Sequence, residues 1–234
     1  MKVIKIYGPP GTGKTERLLS LMQEELKTIA PVRIAFLTFT RAAWKEAQHR
    51  MSSNISGPDD LLLVRTIHSL CYRQLRLSRQ QVVTGPALRS FGSNLNIKLG
   101  GVPDNPWIEE VQSKSWEADT PGDCMLQLDH FGRHRGLSNN EAVQFAAGQI
   151  DIMFYDWFVK AYRDWRQRER LLDYTDFLEE YLRRGPELEA DVVFVDEAQD
   201  LSLLQWQVIW KMAQNCKRLY LAGDDDQAID RKSV

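Results

Sequence analysis

Positions 8–15 read GPPGTGKT, which fits the pattern G-x-x-x-x-G-K-[ST] at every position. These residue types suit a phosphate. Gly8, Gly11 and Gly13 let backbone N–H groups curl around a β-phosphate, with Pro9, Pro10 and Thr12 completing the loop. A helix starting at the loop adds the partial positive charge of its N-terminus. Lys14 reaches toward β- and γ-phosphates, and the Thr15 hydroxyl is placed to ligate Mg²⁺. The bland alternative is a glycine turn that caps a helix and binds nothing. An apolar run before the loop and a helical stripe after it supply the context that the motif requires.

A second cluster lies at 192–200, VVFVDEAQD, where an apolar strand runs into carboxylates. In open α/β sheets ligands bind at the carboxyl ends of strands. There Asp196 is suited to hold Mg²⁺ and Glu197 to orient or deprotonate an attacking water. Alone, such acids could merely cap the next helix. Beside a phosphate loop the catalytic reading is favoured. Lys14 and Asp196 are 182 positions apart, too far for a compact nucleotide kinase or small GTPase.

The elements that must carry these residues alternate. Val3, Ile4, Ile6 and Tyr7 form a short strand; Leu18, Met22 and Leu26 recur every four residues as a helix that Pro31 ends. A strand at 33–38, a helix at 41–51, a polar loop at 52–60, a strand at 61–64 and a helix at 67–77 follow. The rhythm stops in a Gly-, Pro-, Asn- and Asp-rich stretch at 84–123, and 139–183 reads as helical and aromatic. Strands return at 192–195 and 219–222. The expectation is a parallel α/β domain split into 1–83 and 171–234, interrupted by a mostly helical insertion at 84–170. Within the insertion, Phe154, Phe158, Tyr162 and Trp165 read as a core face, and Arg163, Arg166, Arg168 and Arg170 as a solvated one.

Composition narrows the class. With 43% hydrophobic and 26% charged residues, the 234-residue chain is neither a disordered tail nor a coiled coil. No apolar run approaches the ~20 residues of a membrane helix. Cys71, Cys124 and Cys216 form no CxxC pair, so neither a disulfide framework nor a zinc site is suggested, and a reducing cytoplasm is the default. The net charge of −2 confines any nucleic-acid contact to a local groove.

Taken together, the motifs resemble those of superfamily 1 DNA helicases of the UvrD/Rep type. The match is colinear: GPPGTGKT (8–15), LTFTRAAWKEA (37–47), TIHSLCYRQLR (66–76), LLDYTDFLEEYL (171–182), VFVDEAQDLSLLQ (193–205) and LAGDDDQAI (221–229). The resemblance implies a RecA-like P-loop NTPase sheet that uses ATP and Mg²⁺, with Lys14, Thr15, Asp196 and Glu197 in the roles above. It implies that Gln227 senses the γ-phosphate and couples it to a DNA groove. It further implies single-stranded DNA contacts by Thr38, Phe39, Thr40 and Arg41, and by Thr66, His68 and Ser69. Hydroxyls and an arginine suit phosphodiester oxygens, and Phe39 could stack on a base. By residue type alone, Phe39 equally suits a core, His68 a packing or cap role, and Thr40 and Ser69 helix N-caps.

Three departures shape the expectation. The glutamine that reads adenine upstream of the loop in that family has no counterpart before Gly8; Asp230 and Lys232 stand where aromatic residues are common; and a second RecA-like lobe does not fit in this length. That lobe supplies arginine fingers, worth ~10³–10⁵ in rate in related hydrolases. The implied activity is ATP-driven translocation on single-stranded DNA and unwinding, 3′ to 5′, alongside other replication or repair proteins. The chain alone is expected to bind ATP-Mg²⁺, hydrolyse it slowly and unwind nothing. Rival readings are the motor fragment of a helicase–nuclease machine and a non-motor nucleotide- or DNA-binding fragment.

Overall fold

The computed structural model describes residues 1–38, 44–45, 47–49, 63–100, 120–146, 148 and 150–224. They fall into two compact units, Met1–Leu75 with Tyr181–Val234, and Arg76–Glu180. No helix among the described residues is long and apolar enough to cross a membrane.

The first unit is built on five parallel strands: β1 (Lys2–Tyr7), β2 (Ile34–Thr38), β3 (Val64–Thr66), β4 (Val192–Val195) and β5 (Arg218–Gly223). Their order across the sheet is β1-β5-β4-β2-β3. Strands β2 and β4 are buried along their whole length. This is why IAFLT and VVFV are continuous apolar runs rather than alternating ones: a parallel sheet is covered on both faces. Phe36, Phe194 and Tyr220 lie in register across β2, β4 and β5. Their rings form a ladder with centroids 6.3 Å and 4.6 Å apart.

Against this ladder packs α1 (Lys14–Glu25) through Leu18, Leu19 and Met22. Each such buried side chain contributes roughly 1.5–3 kcal/mol. At the far end of α1, the carboxylate of Glu25 accepts from Tyr220 Oη (2.7 Å) and the Arg218 guanidinium (2.5 Å), fixing the helix to β5. The helix stops at Glu25, short of Pro31; the β-branched pair Thr28 and Ile29 disfavours its extension, and Pro31 opens a separate short turn. Among the described residues the third strand spans 64–66, where Val64, Arg65 and Thr66 pair with Phe36, Leu37 and Thr38; positions 61 and 62 of the expected strand lie outside the described residues. It leads into α2 (Ile67–Gln74).

The second unit contains α3 (Gly85–Asn94), α4 (Pro121–Arg135), α5 (Asn139–Gln144), α6 (Ile152–Glu169) and the start of α7 (Tyr174–Arg184). Its two chain ends are stitched together: Val83 N–H donates to Leu172 O (3.0 Å) and Leu172 N–H to Gln81 O (2.7 Å). Phe91, Phe158, Tyr162 and Trp165 form its aromatic core, with Phe91 stacked on Trp165 at 4.8 Å. Phe154 departs from the expected stripe. The buried row of α6 begins at Tyr155, one position later, and leaves Phe154 44% exposed and stacked on Trp157 at 5.4 Å. Arg166 departs as well, being buried on the same row. In α4, Gly122 touches backbone: a Cβ there would sit 2.5 Å from Lys98 O.

Helix α8 (Leu203–Ala213) belongs to the first unit. A full capping box, Ser202 with Gln205, starts it directly after the acidic cluster.

Candidate functional site

Parallel order brings three strand ends into one row. Tyr7 of β1 pairs with Gly223 of β5, and Val195 of β4 with Leu221 of β5. The glycine loop, the segment after β5 and the DEAQD segment therefore leave the same edge of the sheet side by side.

The loop at 8–13 turns tightly into α1. Gly13 caps the helix in the left-handed region (φ 79°), a conformation that costs a side-chain-bearing residue. Thr12 closes the turn, its Oγ1 donating to Pro9 O at 2.7 Å. Lys14 Nζ donates to Gly8 O (2.6 Å) and Pro9 O (3.1 Å), so the ammonium lies across the loop's concave side. The first turn of α1 points its N–H groups into the same space, since no helix satisfies those donors internally.

From α1 the site crosses to β4. Thr15 Oγ1 donates to Asp196 Oδ2 at 2.9 Å, a contact between residues 181 positions apart. Asp196 is 1% exposed. Burial pushes its carboxyl above the usual carboxylate range, and the charge of Glu197 acts in the same direction; the Thr15 hydrogen bond and Lys14 oppose them. A buried carboxylate beside a hydroxyl, short of positive charge, is a donor set suited to a hard divalent cation such as Mg²⁺.

Glu197 follows in the left-handed region (φ 49°, ψ 45°). For a residue with a side chain this is a strained geometry of the kind found at functional sites, costing about 1–3 kcal/mol. It carries the carboxylate away from the strand line. There Glu197 Oε2 accepts from Gln199 Nε2 at 2.8 Å. Gln199 Oε1 in turn accepts from the Asp224 N–H, just past β5, at 3.1 Å. Sequence reasoning passed over Gln199; its available signal was a neutral amide set among the acids of DEAQD.

The two candidate nucleic-acid segments are placed unevenly. Thr38 and Thr66 are register partners at the ends of β2 and β3, on the same edge as the loop. Thr66, rather than Ser69, is the N-cap of α2: its Oγ1 accepts from Ser69 N–H at 3.3 Å. His68 and Ser69 lie half-buried in the first turn of that helix. Phe39, Thr40, Arg41 and Gln227 lie outside the described residues.

A second charged cluster sits in the second unit. Arg133 donates to Asp173 (3.0 Å), Asp176 (2.5 Å) and both oxygens of Glu179 (2.9 and 2.7 Å). Arg166 pairs with Asp173 (2.8 Å) and Asp176 and lies over the Tyr162 ring at 4.3 Å. Burial raises the cost of charging Asp173, yet the two guanidiniums hold its carboxyl well below the usual range. Asp129, His130 and Asp173 bring ligand atoms within 4.8 Å of one another. The set is a poor fit for a metal. Both guanidiniums already engage Asp173, and His130 Nδ1 is 2.7 Å from Thr175 Oγ1.

A five-stranded parallel sheet with a glycine-loop strand at its edge and an acid pair two strands away defines a RecA-like α/β domain. The comparison with known families agrees: the UvrD/REP helicase N-terminal domain matches residues 1–231, and the chain belongs to that family. It is similar to the ATP-dependent DNA helicase PcrA of Staphylococcus aureus strain Mu50, with 24% identity covering 96% of this chain and 31% of that protein. PcrA of Staphylococcus epidermidis gives the same identity and coverage. The chain thus spans about a third of the length of these curated relatives.

Proposed function

We propose that this chain is the ATP-binding part of a DNA helicase motor, which couples ATP hydrolysis to 3′-to-5′ movement along single-stranded DNA and to unwinding. The observation that carries the reading is the 2.9 Å contact between Thr15 and Asp196. It joins the glycine loop to the acid pair where nucleotides bind in open α/β folds.

In this reading the loop N–H groups from Gly8 to Gly13 and the α1 N-terminus hold the β-phosphate. Lys14 swings from the Gly8 and Pro9 carbonyls onto the β- and γ-phosphates. Thr15 and Asp196 are the residues that would hold Mg²⁺, which supplies charge neutralisation on the phosphates when bound. Glu197, held by Gln199, orients water and accepts its proton. Thr66, at the same sheet edge, faces the DNA with Phe39, Thr40, Arg41, His68 and Ser69, while Thr38, 1% exposed, anchors the start of that segment; Gln227 reports the γ-phosphate to that surface. The segments 1–83 and 171–234 form the ATP-binding lobe, with 84–170 as an insertion. Assayed by itself, the 234-residue chain hydrolyses ATP slowly and separates no strands.

The test is equilibrium binding of a fluorescent ATP analogue with and without Mg²⁺, beside ATP hydrolysis with and without a single-stranded oligonucleotide. Mg²⁺-dependent binding that Lys14→Ala weakens by a factor of roughly 30 or more supports the reading. Binding indifferent to both Mg²⁺ and Lys14 sinks it, and so does strand separation by the chain alone.

A further inference from the structure

We infer that Gln199 is a positioning residue that ties the aim of Glu197 to the backbone of Asp224, the residue that follows β5. This rests on the reading of Glu197 as the residue that activates water.

The geometry is specific to an amide. Gln199 is half-buried between two groups of opposite need. Its Nε2 donates to Glu197 Oε2 at 2.8 Å, and lies 3.3 Å from Asp200 Oδ2. Its Oε1 accepts from the Asp224 N–H at 3.1 Å. The reversed amide would set an oxygen against the Glu197 carboxylate and an NH₂ against an N–H, so the network fixes its orientation. A carboxylate could serve Asp224 but not Glu197; an ammonium could serve Glu197 but not Asp224.

The surroundings raise the stakes of that one donor. Three carboxylates, Glu197, Asp200 and Asp224, crowd the turn. Burial pushes the Asp200 carboxyl up, with the charges of Glu197 and Asp224 adding to it. Glu197 also sits in left-handed backbone, which other contacts must hold. A change at Asp224 therefore reaches Glu197 through the Gln199 amide, and a nucleotide that moves one moves the other. The route runs sideways along the sheet edge, from β5 to β4, independently of the Thr15–Asp196 contact.

Two substitutions separate the two halves of the bridge. Gln199→Met removes both hydrogen bonds at similar volume; Gln199→Glu keeps an acceptor for Asp224 but sets a carboxylate against Glu197. The measurements are hydrogen exchange of the Asp224 amide in the 234-residue chain, with ADP-Mg²⁺, with ATP-Mg²⁺ and without nucleotide, and single-turnover ATP hydrolysis. In Gln199→Met the Asp224 amide exchanges about tenfold faster without nucleotide, and the parent's difference between ATP and ADP at that amide disappears. In Gln199→Glu the protection stays within about threefold of the parent while single-turnover hydrolysis falls by about tenfold or more. ATP affinity stays within about threefold in both. Unchanged Asp224 exchange in Gln199→Met overturns the inference, as does a retained ATP–ADP difference there or parental hydrolysis by Gln199→Glu. A parent that binds no nucleotide refutes the proposed function instead, and the nucleotide-free exchange still decides the bridge.

Discussion

The chain places paired carboxylates in two settings, and their partners differ. Asp173 and Asp176 in the second unit meet two guanidiniums, each other's backbone N–H and a tyrosine hydroxyl. Asp196 and Glu197 in the first unit meet a hydroxyl, a neutral amide and a backbone N–H. The first set is bound by fixed positive charge; the second is held by neutral donors. Buried acids paired with guanidiniums build structure, because any further cation would have to displace an arginine. Buried acids with neutral donors are left in want of positive charge, which a metal bound with a phosphate can supply. The same residue type therefore reads as scaffold or as site according to what neutralises it.

The largest effect should come from breaking the arginine-bound set. Arg133→Met strands several buried carboxylates and is expected to cost about 3–5 kcal/mol of stability by urea unfolding. A cost under about 1 kcal/mol would erase the distinction drawn between the clusters. In the first unit the same kind of change should act on ligands instead. Lys14→Ala is expected to lose about 2–3 kcal/mol of nucleotide binding, a factor of roughly 30 to 150 by titration, with little change in unfolding. Asp196→Asn sharpens the point. It removes a charge that burial disfavours, so the metal-free melting temperature should hold or rise while Mg²⁺-dependent binding weakens. A marked fall in that melting temperature would mean that Asp196 is structural after all.

Acid should separate the clusters further. Burial pushes His130 from 6.5 down to about 3, with Arg133 and Arg166 acting in the same direction and Asp173 opposing. Below pH 6.5 the unfolded chain takes up this proton and the folded one does not. That stability is present above pH 6.5 and is lost as pH falls toward about 3. Between pH 6 and 4 the parent should therefore lose about 1.4 kcal/mol more per pH unit than His130→Asn. Equal slopes in a pH series of urea melts would refute this. The smallest effect is at α2: Thr66→Ala removes the cap and should cost about 1 kcal/mol.

Much of the first unit was legible because its signals are local. An apolar run, a glycine turn and a helical stripe mark β1, the loop and α1, and the continuous runs mark β2 and β4. What misled was punctuation read without its tertiary use. The Thr-Pro-Gly-Asp at 120–123 looks like a loop, yet Thr120 caps α4, Pro121 opens it, and Gly122 lets it approach the Lys98 backbone. Only the first residue of the aromatic stripe of α6 departs from expectation, Tyr155 taking the place of Phe154, because both fit a helical period. Arg166 looked solvated because its partners, Asp173 and Asp176, lie beyond the end of its own helix. Gln199 escaped notice because its meaning depends on Asp224, 25 positions away.

The wide separation of Thr15 and Asp196 also has a consequence in time. On a ribosome adding about 5–20 residues per second, roughly 10–40 s pass between the synthesis of these two residues. Among the described residues β1 pairs only with β5, which is made later still. The contiguous stretch from Arg76 to Glu180, with its own core, emerges in between. The glycine loop is thus made first and becomes part of a site last. A nascent chain halted before β4 would carry the phosphate motif intact and have no carboxylate for Thr15 to meet.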